Sequence, residues 1–478
     1  MNYSMIRYTL GWILRFEAMF LLLPLGAAIY YGEEYVLSYI IAIAITLLAG
    51  IPLALNKPKN SAIYAKDGFV IVALSWIVLS LFGSTPFLLT GATSSFINAL
   101  FETVSGFTTT GASIFATVED LPRSLLLWRS FTHWVGGMGV LVFVMAFLPL
   151  GGGQNLHIMR AETTGPAVSK LVPRVKNTAI ILYIIYFAMT LIMLISLLVS
   201  GMDAFDAINT AFSTAGTGGF GFKNDSFASS TATQQIIVTV FMLLFSVNFN
   251  SYYLVMKVKL RDAVNTEVIS FFVIVILAIA IITVDIRDAF ESVWEALRHV
   301  AFTVSSIIST TGFATVDFNL WPSLSKSVLV IIMFIGACAG STGGGIKVSR
   351  ILILIKGVGR EISTLIHPRQ VKKITLDNHP VEHEVIRSVN AYIACYFLIF
   401  SASLILISFD KFDLVTTFTS VTATINNIGP GLGDIGPTSN YFEFTTFSKL
   451  VLIFDMLAGR LELFPMLLLF SPSTWKRT

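Results

Sequence analysis

Apolar positions along the chain gather into runs of membrane-spanning length, and polar positions collect between them. The runs fall near residues 12–31, 36–56, 68–90, 125–150, 178–201, 234–256, 267–285, 326–356, 386–409 and 446–470. Each is close to, or longer than, the roughly 20 residues that a helix needs to cross a hydrocarbon core of about 30 Å. The pattern predicts ten spans. The first run exceeds the apolar part of a secretory leader and has no small-residue cleavage site behind it, so it reads as a span.

Charge alternates with the same period. Lys57, Lys59 and Lys66 lie between spans two and three, and Arg160, Lys170, Arg174 and Lys176 between four and five. Lys257, Lys259 and Arg261 follow span six, the cluster Lys347, Arg350, Lys356, Arg360, Arg369, Lys372, Lys373 and Arg387 follows span eight, and Lys476 and Arg477 come last. The alternate connections carry Glu33, Glu34, Glu119, Asp120, Asp203, Asp206, Asp285, Asp288, Asp410 and Asp413. Basic connections stay on the cytoplasmic side, so both termini are expected there.

The four acidic connections after spans three, five, seven and nine share a second pattern. Each holds an apolar stretch too short to cross, ending in a Thr/Gly-rich segment: 96–113 (FINALFETVSGFTTTGAS), 205–221 (FDAINTAFSTAGTGGFG), 293–315 (VWEALRHVAFTVSSIISTTGFAT) and 412–433 (FDLVTTFTSVTATINNIGPGLG). Recurrence of span, half-helix, loop and span makes an internal fourfold repeat. It divides the chain into 1–60, holding two leading spans, and repeats at 61–165, 166–262, 263–375 and 376–478. The expected fold class is an all-α integral membrane protein, with two N-terminal helices and four pseudosymmetric helix–pore-helix–helix units around a central pore.

Non-helical backbone survives at membrane depth only where protein buries it or where it lines a watery path. Four such loops therefore point to one axis, with half-helices entering from outside and their loops climbing back. Loop carbonyls can replace the hydration shell of a cation, and the negative ends of the half-helix dipoles favour the same charge. Alignment places Gly111, Gly219, Gly312 and Gly429 at equivalent positions, preceded by Thr110, Gly218, Thr311 and Ile428. One Thr/Gly pair reads more readily as a close helix contact than as an ion path; four at matching positions between paired spans read as an ion path.

Composition excludes a soluble protein. Of 478 residues, 55% are hydrophobic and 12% charged, against about 25% charged in an ordinary soluble domain. The net charge of +3 is too small to point to a nucleic-acid partner. Cys338 and Cys395 both sit in apolar runs and imply no disulfide framework.

The run 326–356 is interrupted by the glycines at 336, 340 and 343–345, each of which weakens a helix by about 1 kcal/mol relative to alanine. It is expected to unwind inside the membrane, although a glycine-lined helix contact has a similar composition. It is no phosphate-binding loop, because Lys347 comes one place late. Arg460 lies mid-span near Asp455 and Glu462, where a charge needs a partner or a polar interior. Its spacing leaves a structural clamp and a barrier in the pore equally open. Arg15, Glu17, Glu102, Arg129 and His133 are further ionisable groups in apolar surroundings. Lone ionisable residues of this kind are more often packing or interfacial groups than functional ones, although Glu102 could balance positive charge behind the first loop. His379, Glu382 and His383 fit a zinc-protease spacing, H-x-x-E-H, but no third ligand lies nearby in sequence, and coincidence is the better explanation.

SGFTTTGAS at 105–113, LWRSFTHWVGGMG at 127–139, STTGF at 309–313, NNIGPG at 426–431 and DMLAGRLELFP at 455–465 resemble the Trk/Ktr/HKT superfamily of potassium transporters, with AGTGGFG at 215–221 a looser match. The two leading spans resemble the Trk branch, with its TrkH-type membrane subunits, rather than the eight-span Ktr branch. The resemblance implies potassium as the transported ion, with a filter of Thr110, Gly111, Gly218, Gly219, Thr311, Gly312, Ile428 and Gly429. It further implies a gate made of Gly340, Ser341, Thr342, Gly343, Gly344, Gly345 and Arg460. It also implies a homodimer in the cell inner membrane, with a cytosolic ring that binds NAD or ATP, so that this chain carries no organic cofactor. Channel-like flux and proton or sodium symport both remain open. A secondary transporter working by alternating access is the alternative, and it predicts inverted rather than parallel repeats. A membrane-embedded enzyme finds no nucleophile–base pair in the chain.

Overall fold

The computed structural model describes residues 1–58, 63–139, 175–370, 372–377 and 379–476, with backbone only at 175–178. Lys59, Arg160, Lys170, Arg174, Arg477, the Lys176 side chain, the end of the fourth predicted span and the 165/166 repeat boundary lie outside the described residues. Helices dominate, and the described strands are the two-residue pair Thr375–Leu376 and His379–Pro380. That pair disposes of the H-x-x-E-H spacing. His379 belongs to the strand, whereas His383 opens the helix His383–Ile407, so the two histidines share no helical face.

Among the described residues, six helices are long and apolar enough to cross a membrane: Tyr3–Tyr30, Val36–Leu53, Ala65–Leu89, Ala179–Val199, Thr266–Ala289 and His383–Asp410. The other four predicted spans follow the Thr/Gly loops; within the described residues the first of them contains the helix Arg123–Gly137, and the other three are interrupted. The run 234–256, expected as one span, is instead Ala232–Phe245 and Phe249–Met256, bent by 91°. Ser323–Ile335 halts at Gly336, and helix resumes at Val348–Ile366. Thr446–Arg460 halts before Phe464–Phe470, with Glu462 and Leu463 at positive φ between them.

Close backbone approach distinguishes these interrupted helices. A β-carbon on Gly136 would overlap the carbonyl of Phe107, one on Gly137 would lie 2.6 Å from the α-carbon of Gly216, and one on Gly459 would overlap the carbonyl of Ile425. Small residues let helices approach this closely in membranes. Here they press against the inner ends of the short helices. The leading pair uses the same device, since Gly11 of the first helix faces Gly50 and Ala54 of the second.

The short helices are Phe96–Phe107, Ala204–Ala215, Val293–Ile308 and Leu414–Ile425. Ser95, Asp203, Ser292 and Asp413 cap their outer ends by accepting backbone N–H groups at 3.4, 3.0, 3.1 and 3.1 Å, as serine and aspartate do at helix starts. Some buried threonines within them donate to the carbonyl one turn back, as Thr103 does to Ala99 and Thr424 to Ser420, which satisfies those hydroxyls without a partner from another helix.

Asp413 carries a stability prediction. Hydrogen bonds, first from the Thr416 side chain and then from backbone N–H groups, hold its carboxyl below the usual range despite partial burial. A depressed carboxyl stabilises the fold above its unfolded pKa and loses that contribution as pH falls through the folded value. Asp413→Ala should lower unfolding stability by about 1 kcal/mol near neutral pH, and the gap from wild type should close in acid. Thermal unfolding in detergent across that pH range checks it.

Candidate functional site

All four short helices end in the same way, with the same hydrogen bonds. The N–H groups of Thr110, Gly218, Thr311 and Ile428 reach back to the carbonyls of Ser105, Ser213, Ser306 and Ala423 at 2.9, 2.8, 2.8 and 2.8 Å. Those of Thr109, Thr217, Thr310 and Asn427 bond to Gly106, Thr214, Ile307 and Thr424 at 3.1, 2.9, 3.1 and 3.1 Å. This paired closure is the Schellman motif, which needs a left-handed residue just past the helix. Thr109, Thr217, Thr310 and Asn427 take that conformation, with φ of 57°, 53°, 59° and 55°. Two residues later Gly111, Gly219, Gly312 and Gly429 return to positive φ, at 79°, 82°, 87° and 95°. Each chain thus reverses at the inner end of its helix and climbs back as an extended loop.

The loops close into a ring. A β-carbon on Gly111 would strike the carbonyl oxygen of Gly218, one on Gly219 that of Thr311, and one on Gly312 that of Ile428. One on Gly429 would lie 2.6 Å from the carbonyl oxygen of Thr110. The order runs from repeat 1 to 2, 3, 4 and back to 1, as a single axis requires. Glycine is needed twice over, for its φ and because the next repeat's carbonyl occupies the space of a side chain. The Thr110 and Thr311 hydroxyls bond to Thr108 and Ser309 of their own loops, at 2.8 and 2.7 Å. The eight residues singled out from sequence therefore lie in one ring. An outward cavity of about 110 Å³ above it is lined by all four glycines.

Bonds between repeats hold the ring from outside. Phe227 N–H donates to Ala314 O at 2.9 Å, Asn319 exchanges bonds of 3.1 and 2.9 Å with the Gly433 backbone, and Tyr441 N–H donates to Ser113 O at 2.8 Å. Between repeats 1 and 2, Arg129 pairs with Glu102 at 2.7 Å and donates to Gly221 O at 3.1 Å. His133 bridges the same seam, bonding Gly106 O through Nδ1 at 2.7 Å and accepting the Phe220 N–H on Nε2 at 3.1 Å. The acceptor role of Nε2 places the proton on Nδ1.

The segment 336–347 lies against the inner side of the ring. Gly344 N–H donates to Thr310 Oγ1 at 2.6 Å and Gly345 N–H to Asn426 O at 3.1 Å, so the segment touches the inner ends of loops 3 and 4. Cys338 N–H bonds Ser246 O at 3.1 Å, and Phe249 N–H bonds Gly340 O at 3.0 Å, which ties it into the bend of repeat 2. Arg460 donates to Thr342 O at 2.8 Å, and also to Gly136 O and to Gly137 O at 2.7 Å. One guanidinium thus joins this segment, repeat 4 and repeat 1. Lys347, buried and at φ 84°, donates to Gly343 O, and Arg350 is paired with Glu462.

Several participants escape a reading of the sequence. Asn427 donates to Thr110 Oγ1 at 3.0 Å and to Met456 O at 2.9 Å, linking loops 4 and 1. Tyr441 donates its hydroxyl to Gly429 O at 2.7 Å. The tandem asparagines of NNIGPG were a usable signal, since asparagine tolerates left-handed backbone better than most residues.

A family profile described as "TrkH: Cation transport protein" matches residues 34–477. The chain is 34% identical over its whole length to the whole of the Trk system potassium uptake protein TrkH of Halomonas elongata. It is also 34% identical to the protein of the same name from Escherichia coli K12, over 93% of this chain and 92% of that one. The crystal structure of the potassium transporter TrkH from Vibrio parahaemolyticus superposes with a TM-score of 0.90 at 31% identity, covering both chains fully. These relatives are named as transporters rather than enzymes. With a ring of four re-entrant loops and matches running through every repeat, the chain belongs to the TrkH family of cation transport proteins.

Proposed function

We propose that this chain takes up potassium across the cell inner membrane, with both termini cytoplasmic and the repeats divided at 61–165, 166–262, 263–375 and 376–478. The carbonyls of Thr110, Gly111, Gly218, Gly219, Thr311, Gly312, Ile428 and Gly429 act as a selectivity filter that replaces the ion's water. The observation that carries this is the closed cyclic order, in which each repeat's glycine meets the next repeat's carbonyl. Four helix C-termini at the ring add negative potential, each equivalent to roughly half an elementary charge.

Gly340, Ser341, Thr342, Gly343, Gly344 and Gly345 form the gate beneath the filter, with Arg460 as its latch. Support comes from the contacts of this segment with all four repeats, through Phe245 and Ser246, Thr310, Asn426 and, by way of Arg460, Gly136. A regulatory partner from the cytosol, an NAD- or ATP-binding ring, docks on the basic surface around Lys356, Arg360, Arg369, Lys372 and Lys373, and the chain works as a homodimer. The test is flux into proteoliposomes. Potassium should enter and be outcompeted poorly by sodium; equal entry of both ions, or none of either, would overturn the proposal.

A further inference from the structure

We infer that the buried Glu102–Arg129 pair is a positioning device that fixes the spacing of loops 1 and 2 and so sets discrimination between monovalent cations. The inference rests on the potassium-filter reading. Glu102 is 0% and Arg129 2% exposed, in the first short helix and the helix after its loop. Glu102 accepts from Arg129 Nε at 2.8 Å, from the Ser113 hydroxyl at 3.0 Å and from Ile114 N–H at 2.9 Å, so its carboxylate holds the chain two and three places beyond Gly111. Arg129 donates to Gly221 O at 3.1 Å, two places beyond Gly219, and stands over the Phe220 ring at 4.1 Å. Two rising loops therefore hang from one ion pair.

At the other seams the bonds that join one rising loop to the next, among the described residues, are neutral: Phe227 to Ala314, Asn319 to Gly433 and Tyr441 to Ser113; the charged contacts there, Lys449 to Asn98, Arg350 to Glu462 and Arg460 to Gly136, join helices or the inner segment instead. A buried ion pair is a poor source of net stability, because desolvation offsets its attraction. What it supplies is directional geometry, since a guanidinium forks to several acceptors in one plane. Arg129 also lines the outer cavity, where Glu102 balances its charge. Loss of that balance would leave a bare cation at the mouth of a cation path.

The test compares Glu102→Gln, Arg129→Lys and the double variant Glu102→Gln/Arg129→Met with wild type and Gly312→Ser in proteoliposomes. The readouts are the potassium-to-sodium permeability ratio, taken from reversal potential and so independent of the amount of folded protein, and the half-saturating potassium concentration. Arg129→Lys keeps the charge but loses the fork, and the double variant leaves no unpaired buried charge, so both remain informative if Glu102→Gln fails to fold. The ratio should fall about tenfold in each, equivalent to about 1.4 kcal/mol, and half-saturation should rise in Glu102→Gln. Wild-type ratios in Arg129→Lys and the double variant, with a lowered ratio in Gly312→Ser, would reduce the pair to a structural staple and overturn the inference. Wild-type ratios in all variants, Gly312→Ser included, would instead overturn the filter reading.

Discussion

Replacing Gly312 with serine is expected to lower potassium-over-sodium discrimination by about ten- to thirtyfold, as a loss of 1.4–2 kcal/mol would. The residue stands at φ 87°, where a side chain costs about 1–3 kcal/mol, and its β-carbon would strike Ile428 O and lie 2.8 Å from Pro430 Cδ. The strain is relieved only by moving a carbonyl of the neighbouring repeat, and a wider ring fits the ions less well. Gly111→Ser should act alike, because its β-carbon meets Gly218 O. Gly26, with nothing within 4 Å of a β-carbon, provides the control, and its serine variant should keep wild-type selectivity. Reversal potentials under imposed potassium and sodium gradients measure all three. Unchanged selectivity in the Gly111 and Gly312 variants would remove these loops from the filter.

Arg460→Ala should raise potassium flux about tenfold or more. Two effects add in the same direction. The guanidinium holds Thr342 O on one side and Gly136 and Gly137 on the other, so its removal frees the segment to leave the axis. A positive charge beside the path also raises the energy of a passing cation, by about 2 kcal/mol if the two were roughly 8 Å apart at an effective dielectric near 20. Deleting part of 340–345 should act through the first effect alone, and so raise flux less. Rubidium uptake normalised to protein in the liposome checks both, and equal or lower uptake in Arg460→Ala at normal expression would contradict a latch.

Much of this architecture is legible because the bilayer imposes coarse rules. Apolar length marks spans, and a half-length apolar stretch ending in glycine marks a re-entrant loop. The interruptions are harder to see. Residues 234–256 and 446–470 read as single spans despite Ser246 and Asn248 at the first break and Arg460 and Glu462 at the second, since the causes of the breaks are tertiary: Gly340 O against Phe249 N–H and Gly459 against Ile425 O. Local signals do exist at both. Asn248 caps the helix after the first break, and Pro465 sits in the opening turn of the helix after the second. The left-handed residues before the glycines are hidden for another reason. They are Thr109, Thr217, Thr310 and Asn427, and three of the four are β-branched threonines that propensity alone would exclude. The Glu102–Arg129 pair spans 27 positions that no helical spacing connects.

The arrangement of the loops can be tested without any transport assay. Thallium or rubidium soaked into the purified protein should give density on the line equidistant from Gly111, Gly219, Gly312 and Gly429, and excess sodium should not displace it. Density found only off that line, or none at saturating thallium, would contradict a cation path through the ring.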